Sequence, residues 1–367
     1  MTNSIKTPPV LPETRASRGQ GEVGVAPVTG AAGAAVTGAA AASAMKAKKR
    51  KIITLVSLLV ILILLFVWYL INRKPFSELP GLAGEKLPHY QSSIYGSTHP
   101  LGVASNSAGD RIYVTESDGQ RVVRIYDHGG KKLGTLQPPV SKTEGHIPMY
   151  VAINPTTQDV YVSDRFSSEI YIYNEKGTFV RVFAPKGDLG GNWAPLGLAF
   201  APDGTMYATD VRGKDSKTHR VVAFGPEGNF LRAMGAPGQL NFPNGIVVDA
   251  YGNIEVSDSN NGRLVVFSPA GKMLATISRG IGEGDLGLPR GAAIDDVGRL
   301  FVADTSDHMI RAYKIDKGKP MPTYIGSFGT EGQLDGTFEY PNGVATDKRA
   351  HIYITDRENN RVQVWGY

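Results

Sequence analysis

Short apolar runs recur from residue 88 to the C-terminus, and in most of them apolar residues alternate with small or polar ones. A period of two is typical of a half-buried β-strand. Clusters of Gly, Asp, Asn and Pro separate the runs, as turns do. No stretch after residue 75 has a helical period. The pattern therefore predicts an all-β domain over residues 88–367.

The apolar runs belong to a unit that occurs six times. Each unit opens with Pro-x-Gly or a close variant, and a second run then ends on an acid. Subtracting neighbouring positions of the opening prolines gives spacings of 48, 47, 48, 46 and 52 residues. Such spacings fit a four-stranded propeller blade of about 40–50 residues. The opening prolines are Pro100, Pro148, Pro195, Pro243, Pro289 and Pro341.

The two ends of the repeat region are predicted to meet. The sixth unit stops at Tyr367 after its third run, while an unassigned strand-like segment, residues 90–96, precedes the first unit. We expect this segment to be the fourth strand of the last blade, because closing the ring protects strand edges. The sequence thus predicts a six-bladed β-propeller of four-stranded blades.

A continuous apolar run without charged residues occupies residues 52–72. As a helix it would span about 30 Å, the thickness of a bilayer core, which predicts a single transmembrane helix. The alternative, a cleaved signal peptide, would have a shorter apolar core and a small-residue cleavage site. Positive charges are concentrated before the run, so the N-terminus is predicted to be cytoplasmic and the propeller extracytoplasmic in the cell membrane. These charges are Lys46, Lys48, Lys49, Arg50 and Lys51.

Composition assigns the remaining segments. Residues 1–51, rich in Ala, Gly and Thr and then basic, are predicted to be a disordered cytoplasmic tail, with Met45 as an alternative start. Residues 73–87 are a linker to the propeller at 88–367. The absence of cysteine excludes disulfides, thiol catalysis and Cys-bound metals. The net charge of +5 comes largely from the basic block beside the apolar run, so no nucleic-acid partner is predicted.

The unit resembles the NHL repeat, whose pattern is Pro-x-Gly-apolar-Ala, then Gly-x-apolar-Tyr-Val-x-Asp, then Asn-x-Arg-apolar. Unit four contains Asp258-Ser-Asn-Asn261-Gly-Arg263, and unit six contains Asp356-Arg-Glu-Asn359-Asn-Arg361. The match weakens in units two and five, where Glu169 and Met309 replace the Arg. The resemblance implies a six-bladed propeller, here of a membrane-anchored bacterial type. The family includes many binding and scaffolding proteins and a few enzymes, so fold alone does not settle function.

The acids that end the second strands are interpreted as structural. An acid that recurs in every unit, with Asn or Arg a few residues later, is expected to cap its own turn and pair locally. Glu255 differs, because it replaces the aromatic residue of the second strand and must be either solvated or paired inside. The recurring acids are Glu116, Asp164, Asp210, Asp258, Asp304 and Asp356.

The resemblance to six-bladed propellers implies that the residue after each opening Pro points toward the mouth of the central channel. These residues are apolar in units one to three and polar in units four to six, which suits a small ligand or a peptide. The alternative is that they are common repeat variants that meet water. Tyr150 and Trp193 are candidate aromatic anchors, whereas Phe242 and Tyr340 are assigned to packing between blades. The mouth series is Leu101, Met149, Leu196, Asn244, Arg290 and Asn342.

Two enzyme classes on similar propellers provide the alternative to binding. Peptidyl-hydroxyglycine lyases carry metal-binding His directly after the opening Pro, whereas His99 and His146 precede Pro here. Lactonases hold a metal with Glu and Asn; Asn244 and Asn342 match the Asn, but the carboxylate element is missing. We therefore predict no catalytic residue, metal or cofactor, and a membrane-tethered module that binds a protein, peptide or envelope glycan. The alternative is a metal-dependent lyase or lactonase-type hydrolase at the channel mouth.

Overall fold

The computed structural model describes residues 33–72, 86–139, 145–213, 215–278, 280 and 282–367. The chain divides into two units, Met1–Ala83 and Gly84–Tyr367. Residues 1–32 of the predicted tail and residues 73–85 of the predicted linker lie outside the described residues.

The first unit contains one helix, α1 (Gly33–Asn72), which includes the predicted membrane segment. The helix begins at Gly33, so it also includes residues 33–51. This part of the chain is rich in alanine, the residue with the highest helix propensity, and that composition favours continuation of the helix. Within α1, the stretch Met45–Trp68 is long and apolar enough to cross a membrane.

The second unit is built from six antiparallel sheets of four strands each, and five of them take four consecutive strands. Blade 1 contains β2 (Pro100–Ser105), β3 (Ile112–Glu116), β4 (Val123–Tyr126) and β5 (Lys132–Leu136). Blade 2 contains β6 (Pro148–Ile153), β7 (Val160–Asp164), β8 (Glu169–Tyr173) and β9 (Phe179–Val182). Blade 3 contains β10 (Pro195–Phe200), β11 (Met206–Asp210), β12 (Arg220–Phe224) and β13 (Phe230–Met234).

The second half of the ring repeats this arrangement. Blade 4 contains β14 (Pro243–Val248), β15 (Ile254–Asp258), β16 (Arg263–Phe267) and β17 (Met273–Ser278). Blade 5 contains β18 (Pro289–Ile294), β19 (Arg299–Asp304), β20 (Met309–Lys314) and β21 (Thr323–Phe328). Blade 6 contains β22 (Pro341–Thr346), β23 (Ile352–Asp356), β24 (Arg361–Gly366) and, from the other end of the unit, β1 (His89–Tyr95).

Blade 6 closes the ring in the predicted way. Strand β1 pairs antiparallel with β24, from His89 opposite Gly366 to Tyr95 opposite Arg361. The rings of Tyr90 and Trp365 pack edge to face, with centroids 6.2 Å apart. The first strands of neighbouring blades contact one another around the ring, and β22 contacts β2. The prediction of six blades joined by an N-terminal strand is confirmed.

The core is divided among the blade interfaces. One cluster of buried apolar side chains fills each of the six interfaces between neighbouring blades. Both faces of a blade are therefore covered, which explains why five of the six second strands are buried at every position and β19 at all positions except Arg299.

Hydroxyl groups on four of the six second strands join neighbouring blades around the channel. Each accepts a hydrogen bond from the first strand of its own blade and donates one to a carbonyl of the next blade. For example, Thr355 Oγ1 accepts from the backbone N–H of Gly343 (2.6 Å) and donates to Leu101 O (2.8 Å). The other three such donors are Thr115 to Met149 O, Ser163 to Leu196 O and Thr209 to Asn244 O.

The close approach of the first strands explains the glycine of Pro-x-Gly. A Cβ atom on Gly102 would lie 2.7 Å from Met149 O in the neighbouring blade, which is too short for a carbon–oxygen contact. Blade 2 alone has a side chain at this position, Tyr150. The side chain of Tyr150 lines the mouth of the channel.

Candidate functional site

Buried acids hold the loops that lead into the channel mouth. Glu116 accepts a hydrogen bond from Thr98 N–H (2.8 Å) and pairs with Arg124 (3.0 Å) in its own blade. Asp356 likewise accepts from Glu339 N–H (2.7 Å) and pairs with Arg361 (2.7 Å). All six acids are fully buried, and each accepts a backbone hydrogen bond from the loop before its own opening Pro. Local pairing was predicted and is observed, whereas these backbone hydrogen bonds come from the loop before the opening Pro and not from the turn after the acid.

A cavity of about 310 Å³ lies at the end of the channel where the first strands begin. Five of the six predicted mouth residues line it. Blades 1 and 2 contribute the apolar side chains of Leu101 and Met149, and blades 4 to 6 contribute amide and guanidinium groups. The lining residues are Leu101, Met149, Tyr150, Asn244, Leu288, Arg290, Thr305, Tyr340, Asn342 and Arg357.

Tyr150 separates the mouth cavity from the interior of the channel. Its side chain is buried, and its hydroxyl donates a hydrogen bond to Asn342 Oδ1 (3.1 Å), which links blade 2 to blade 6. Burial raises the pKa of Tyr150 to about 12, although the charge of Arg290 opposes this shift. The phenol is therefore neutral and remains a donor at physiological pH. A second cavity, of only about 40 Å³, also touches Tyr150 and is lined by the first strands.

Arg290 is the charged group on the polar side of the mouth. Its Nη1 donates to Asn244 Oδ1 (3.1 Å). The amide nitrogen of Asn244 donates to Phe242 O (3.0 Å) and to Ser259 Oγ (2.7 Å), which orients the amide oxygen toward the guanidinium. The Nε of Arg290 is buried and has no hydrogen-bond partner among the described residues.

These contacts favour an anion over a metal ion in the mouth. The amide oxygens of Asn244 and Asn342, the atoms that would coordinate a cation, both accept hydrogen bonds. A hard cation also needs charged oxygen ligands, and no Asp or Glu lines the cavity in the described part of the chain. His146 lies against Asp164 instead, in the buried acid site of blade 2.

Two of the predicted site residues lie elsewhere. Leu196 is only 1% exposed and packs with Tyr150 and Val211 below the surface. Trp193 packs against Phe183 and Phe224, with ring centroids 6.0 and 5.5 Å away. The indole therefore fills the interface between blades 2 and 3, because its loop crosses that interface before β10 begins.

Sequence reasoning missed part of the mouth. Thr305 and Arg357 each follow an acid that ends a second strand, and that acid pairs with the opening Pro of the same blade. The position after the acid was therefore a usable signal for a second ring of mouth residues. Tyr340, expected to pack between blades, is 47% exposed at the rim and lies against the ring of His308, with centroids 4.7 Å apart.

Comparison with known sequences supports the repeat assignment. The NHL repeat matches residues 240–267 and 338–365, in blades 4 and 6. NHL repeat-containing protein 3 of Mus musculus is 25% identical over 197 residues, covering 50% of this chain and 56% of that protein. Protein SUPPRESSOR OF QUENCHING 1, chloroplastic, of Arabidopsis thaliana is 25% identical over 267 residues, covering 60% of this chain and 25% of that protein. The matched part of the chain thus spans between a quarter and just over half of the length of these two relatives. They come from a plant and an animal, so the bacterial type remains a prediction.

Solved structures share the propeller fold. A streptogramin B lyase aligns with a TM-score of 0.53 at 14% identity, covering 76% of this chain and 98% of that one. A gluconolactonase from Xanthomonas campestris aligns with a TM-score of 0.58 at 16% identity, covering 77% and 94%. Identities this low establish the architecture and leave the chemistry to the residues of each site.

Proposed function

We propose that this NHL-repeat propeller is a membrane-tethered recognition module that binds its partner at the channel mouth. A segment of a protein or a peptide is the favoured ligand, and an envelope glycan is the alternative. The observation that carries the proposal is the mouth cavity of about 310 Å³, bounded on the channel side by Tyr150, with an apolar side and a polar side. Cavities of about 300 Å³ and above that combine apolar walls with a few polar groups are typical ligand sites.

The side chains around the mouth suit contact with a protein. Tyr340 is exposed at the rim, and Met149, Arg290 and Arg357 line the cavity beneath it. Aromatic residues, Met and Arg are enriched at protein interfaces, and buried Tyr and Arg anchors contribute much of the binding energy. This composition supports a protein or peptide over a glycan.

The arrangement supports binding more than metal-dependent hydrolysis or lyase chemistry. Such enzymes need oxygen or imidazole ligands free to coordinate a metal. In the mouth, the oxygens of Asn244 and Asn342 accept hydrogen bonds, and the donor to Asn244 is the charged guanidinium of Arg290. A bound cation would be repelled by that charge.

Helix α1 supplies the proposed membrane anchor. Its stretch Met45–Trp68 has the length and composition of a membrane span. Five basic residues lie between positions 46 and 51, and only Arg73 and Lys74 closely follow the apolar run. The positive-inside rule then favours a cytoplasmic N-terminus and an extracytoplasmic propeller.

Photocrosslinking from the two ends of the channel tests the recognition proposal. Tyr340 at the mouth and Tyr251 at the turn between β14 and β15, on the opposite side, are 47% and 46% exposed and form a matched pair. We would replace each in turn with p-benzoyl-phenylalanine in the full chain, irradiate intact cells, and analyse the adducts by mass spectrometry.

We expect a discrete adduct from position 340 and none from position 251. A protein or peptide adduct supports the favoured ligand, while a carbohydrate adduct supports the glycan. Adducts only from position 251, or from neither position, would refute binding at the mouth.

A further inference from the structure

We propose that the channel mouth binds a carboxylate of its ligand through Arg290 and places the adjoining apolar group against Leu101 and Met149. This inference rests on the proposed recognition function and specifies the chemistry of the bound group. A peptide C-terminus and an acidic side chain share that chemistry, and the experiment below distinguishes them.

The first support is the incomplete set of hydrogen bonds around Arg290. A guanidinium has five N–H donors in a rigid plane. In the described residues, Nη1 donates to Asn244 Oδ1, whereas Nε is buried and has no acceptor. Buried donors are nearly always paired in native proteins, so an unpaired one next to a cavity indicates a missing partner. The edge of the guanidinium that contains Nε can bind a planar carboxylate with two parallel hydrogen bonds.

The second support is the charge of the cavity. Its lining includes two arginines and neither Asp nor Glu among the described residues. Arg357 is partly neutralised because it pairs with Glu358. None of the ion pairs in the described residues involves Arg290. By contrast, the repeat-pattern arginines of blades 3, 4 and 6 each pair with the acid of their own blade, as Arg263 pairs with Asp258.

The third support comes from the surroundings of Arg290. Asn342 uses its oxygen to accept from Tyr150, and its amide nitrogen donates to no group in the described part of the chain. This nitrogen is a second potential donor to a carboxylate in the same cavity. Leu101, Met149 and Leu288 supply apolar surface there, which would suit a hydrophobic side chain adjoining the carboxylate better than the fully hydrated group of a free phosphate.

Three peptide pools, applied to the immobilised full chain in detergent micelles, test the inference. The first contains N-acetylated tetrapeptides of apolar residues with free C-terminal carboxylates, and the second contains the same peptides as C-terminal amides. The third contains amidated peptides with one internal Asp. Retained peptides are quantified by mass spectrometry. Inorganic phosphate serves as a competitor.

We expect the first or the third pool to be retained, which identifies the source of the carboxylate, and the amide pool to pass through. Arg290→Gln should reduce retention by at least about tenfold, the loss that accompanies removal of one charged hydrogen-bonding partner. Arg181→Gln, at an exposed arginine on β9, should leave retention unchanged. Asn342→Asp places a competing carboxylate in the same cavity and should also abolish retention. Phosphate should compete only weakly.

Three results would overturn the carboxylate inference. The second pool, which has no carboxylate, could be retained as well as the first and third pools. Retention could survive Arg290→Gln, or no pool could be retained at all. Crosslinking from position 340 then separates the two proposals. If Arg290→Gln leaves that adduct unchanged, recognition at the mouth stands without a carboxylate contact. If the wild-type chain forms no adduct at all, the recognition proposal fails as well.

Discussion

Glu255 makes the stability of the propeller depend on pH in a predictable direction. It lies in β15 and is 1% exposed. Burial, together with the nearby carboxyl of Asp249, raises its pKa well above the ordinary value of 4.5. The corresponding residue of blade 6 is Tyr353, whose hydroxyl donates to Asp347 Oδ2 (2.9 Å). Blade 4 thus replaces a phenol–carboxylate pair with two neighbouring carboxyl groups.

The proton of this pair is expected to reside on Glu255. Asp249 accepts hydrogen bonds from the backbone N–H groups of Tyr251 (2.8 Å) and Asn253 (2.7 Å) and from the side-chain amide of Asn253 (2.8 Å). These three donors supply hydrogen bonds to both carboxylate oxygens of Asp249. Glu255 Oε2, in contrast, is buried without a hydrogen-bond partner among the described residues.

The size of this pH dependence follows from the linkage between proton binding and folding. Above pH 4.5 the unfolded chain loses the Glu255 proton while the folded chain keeps it, so folding must take up a proton. The contribution of Glu255 to stability is fully present below pH 4.5 and is lost as pH rises toward the folded pKa. The loss amounts to about 1.4 kcal/mol per pH unit across that window. Glu255→Gln has nearly the same shape and no titration, so it should avoid this loss.

The assay is urea unfolding of the full chain in detergent micelles, followed by tryptophan fluorescence at several pH values. The free energy of unfolding of Glu255→Gln minus that of the wild type should rise by about 1.4 kcal/mol for each pH unit above 4.5 until the folded pKa is reached. Glu227→Gln, at an exposed turn residue, should give a difference that does not change with pH. A flat difference for Glu255→Gln between about pH 5 and about pH 7 would refute a protonated, buried Glu255.

Three further predictions concern closure of the ring and the membrane anchor. Thr355→Val removes the hydroxyl that joins blade 6 to blade 1 through Leu101 O and leaves buried groups unpaired, so urea unfolding should show a loss of about 1–3 kcal/mol. The exposed Thr178→Val is its control, and equal stability of the two variants would contradict the bridging role. Deletion of residues 88–96 removes β1 and exposes the edge of β24, so the chain should aggregate on size-exclusion chromatography and unfold without a cooperative transition. If the variant that lacks residues 88–96 unfolds as the wild type does, β1 is dispensable for closure of the ring. Because the chain has no cysteine, Ser107→Cys and Ala47→Cys can each be labelled alone with a membrane-impermeant maleimide. We expect labelling of Ser107→Cys on intact cells and of Ala47→Cys only after permeabilisation, and the reverse result would contradict the proposed orientation.

The repeat architecture was predictable because its signals are local and occur six times. Each second strand alternates and ends on an acid, and this pattern placed the acids correctly before any contact was known. The closing strand was predicted at residues 90–96 and lies at His89–Tyr95, since a missing fourth strand can be counted from the repeat alone. The apolar run was equally evident, but its helix begins at Gly33 because helix propensity continues through the alanine-rich segment.

The geometry of the mouth depends on contacts between residues far apart in sequence. Tyr150 occupies the glycine position of its repeat, and only the closed ring brings its hydroxyl to Asn342, four blades further along the chain. Leu196 and Met149 occupy the same position of the repeat, yet Leu196 is buried beside Tyr150 while Met149 lines the cavity.

By itself the sequence determined the number of blades, the closing strand, the local pairing of the strand-ending acids and an apolar segment long enough to cross a membrane. It also assigned an apolar and a polar half to the mouth. The tertiary structure decided which mouth residues share one cavity and that Arg290 lacks an acidic partner there. The physical reason is that strand periodicity records burial within one blade, whereas the partners of a side chain at the channel depend on how six blades pack into a ring.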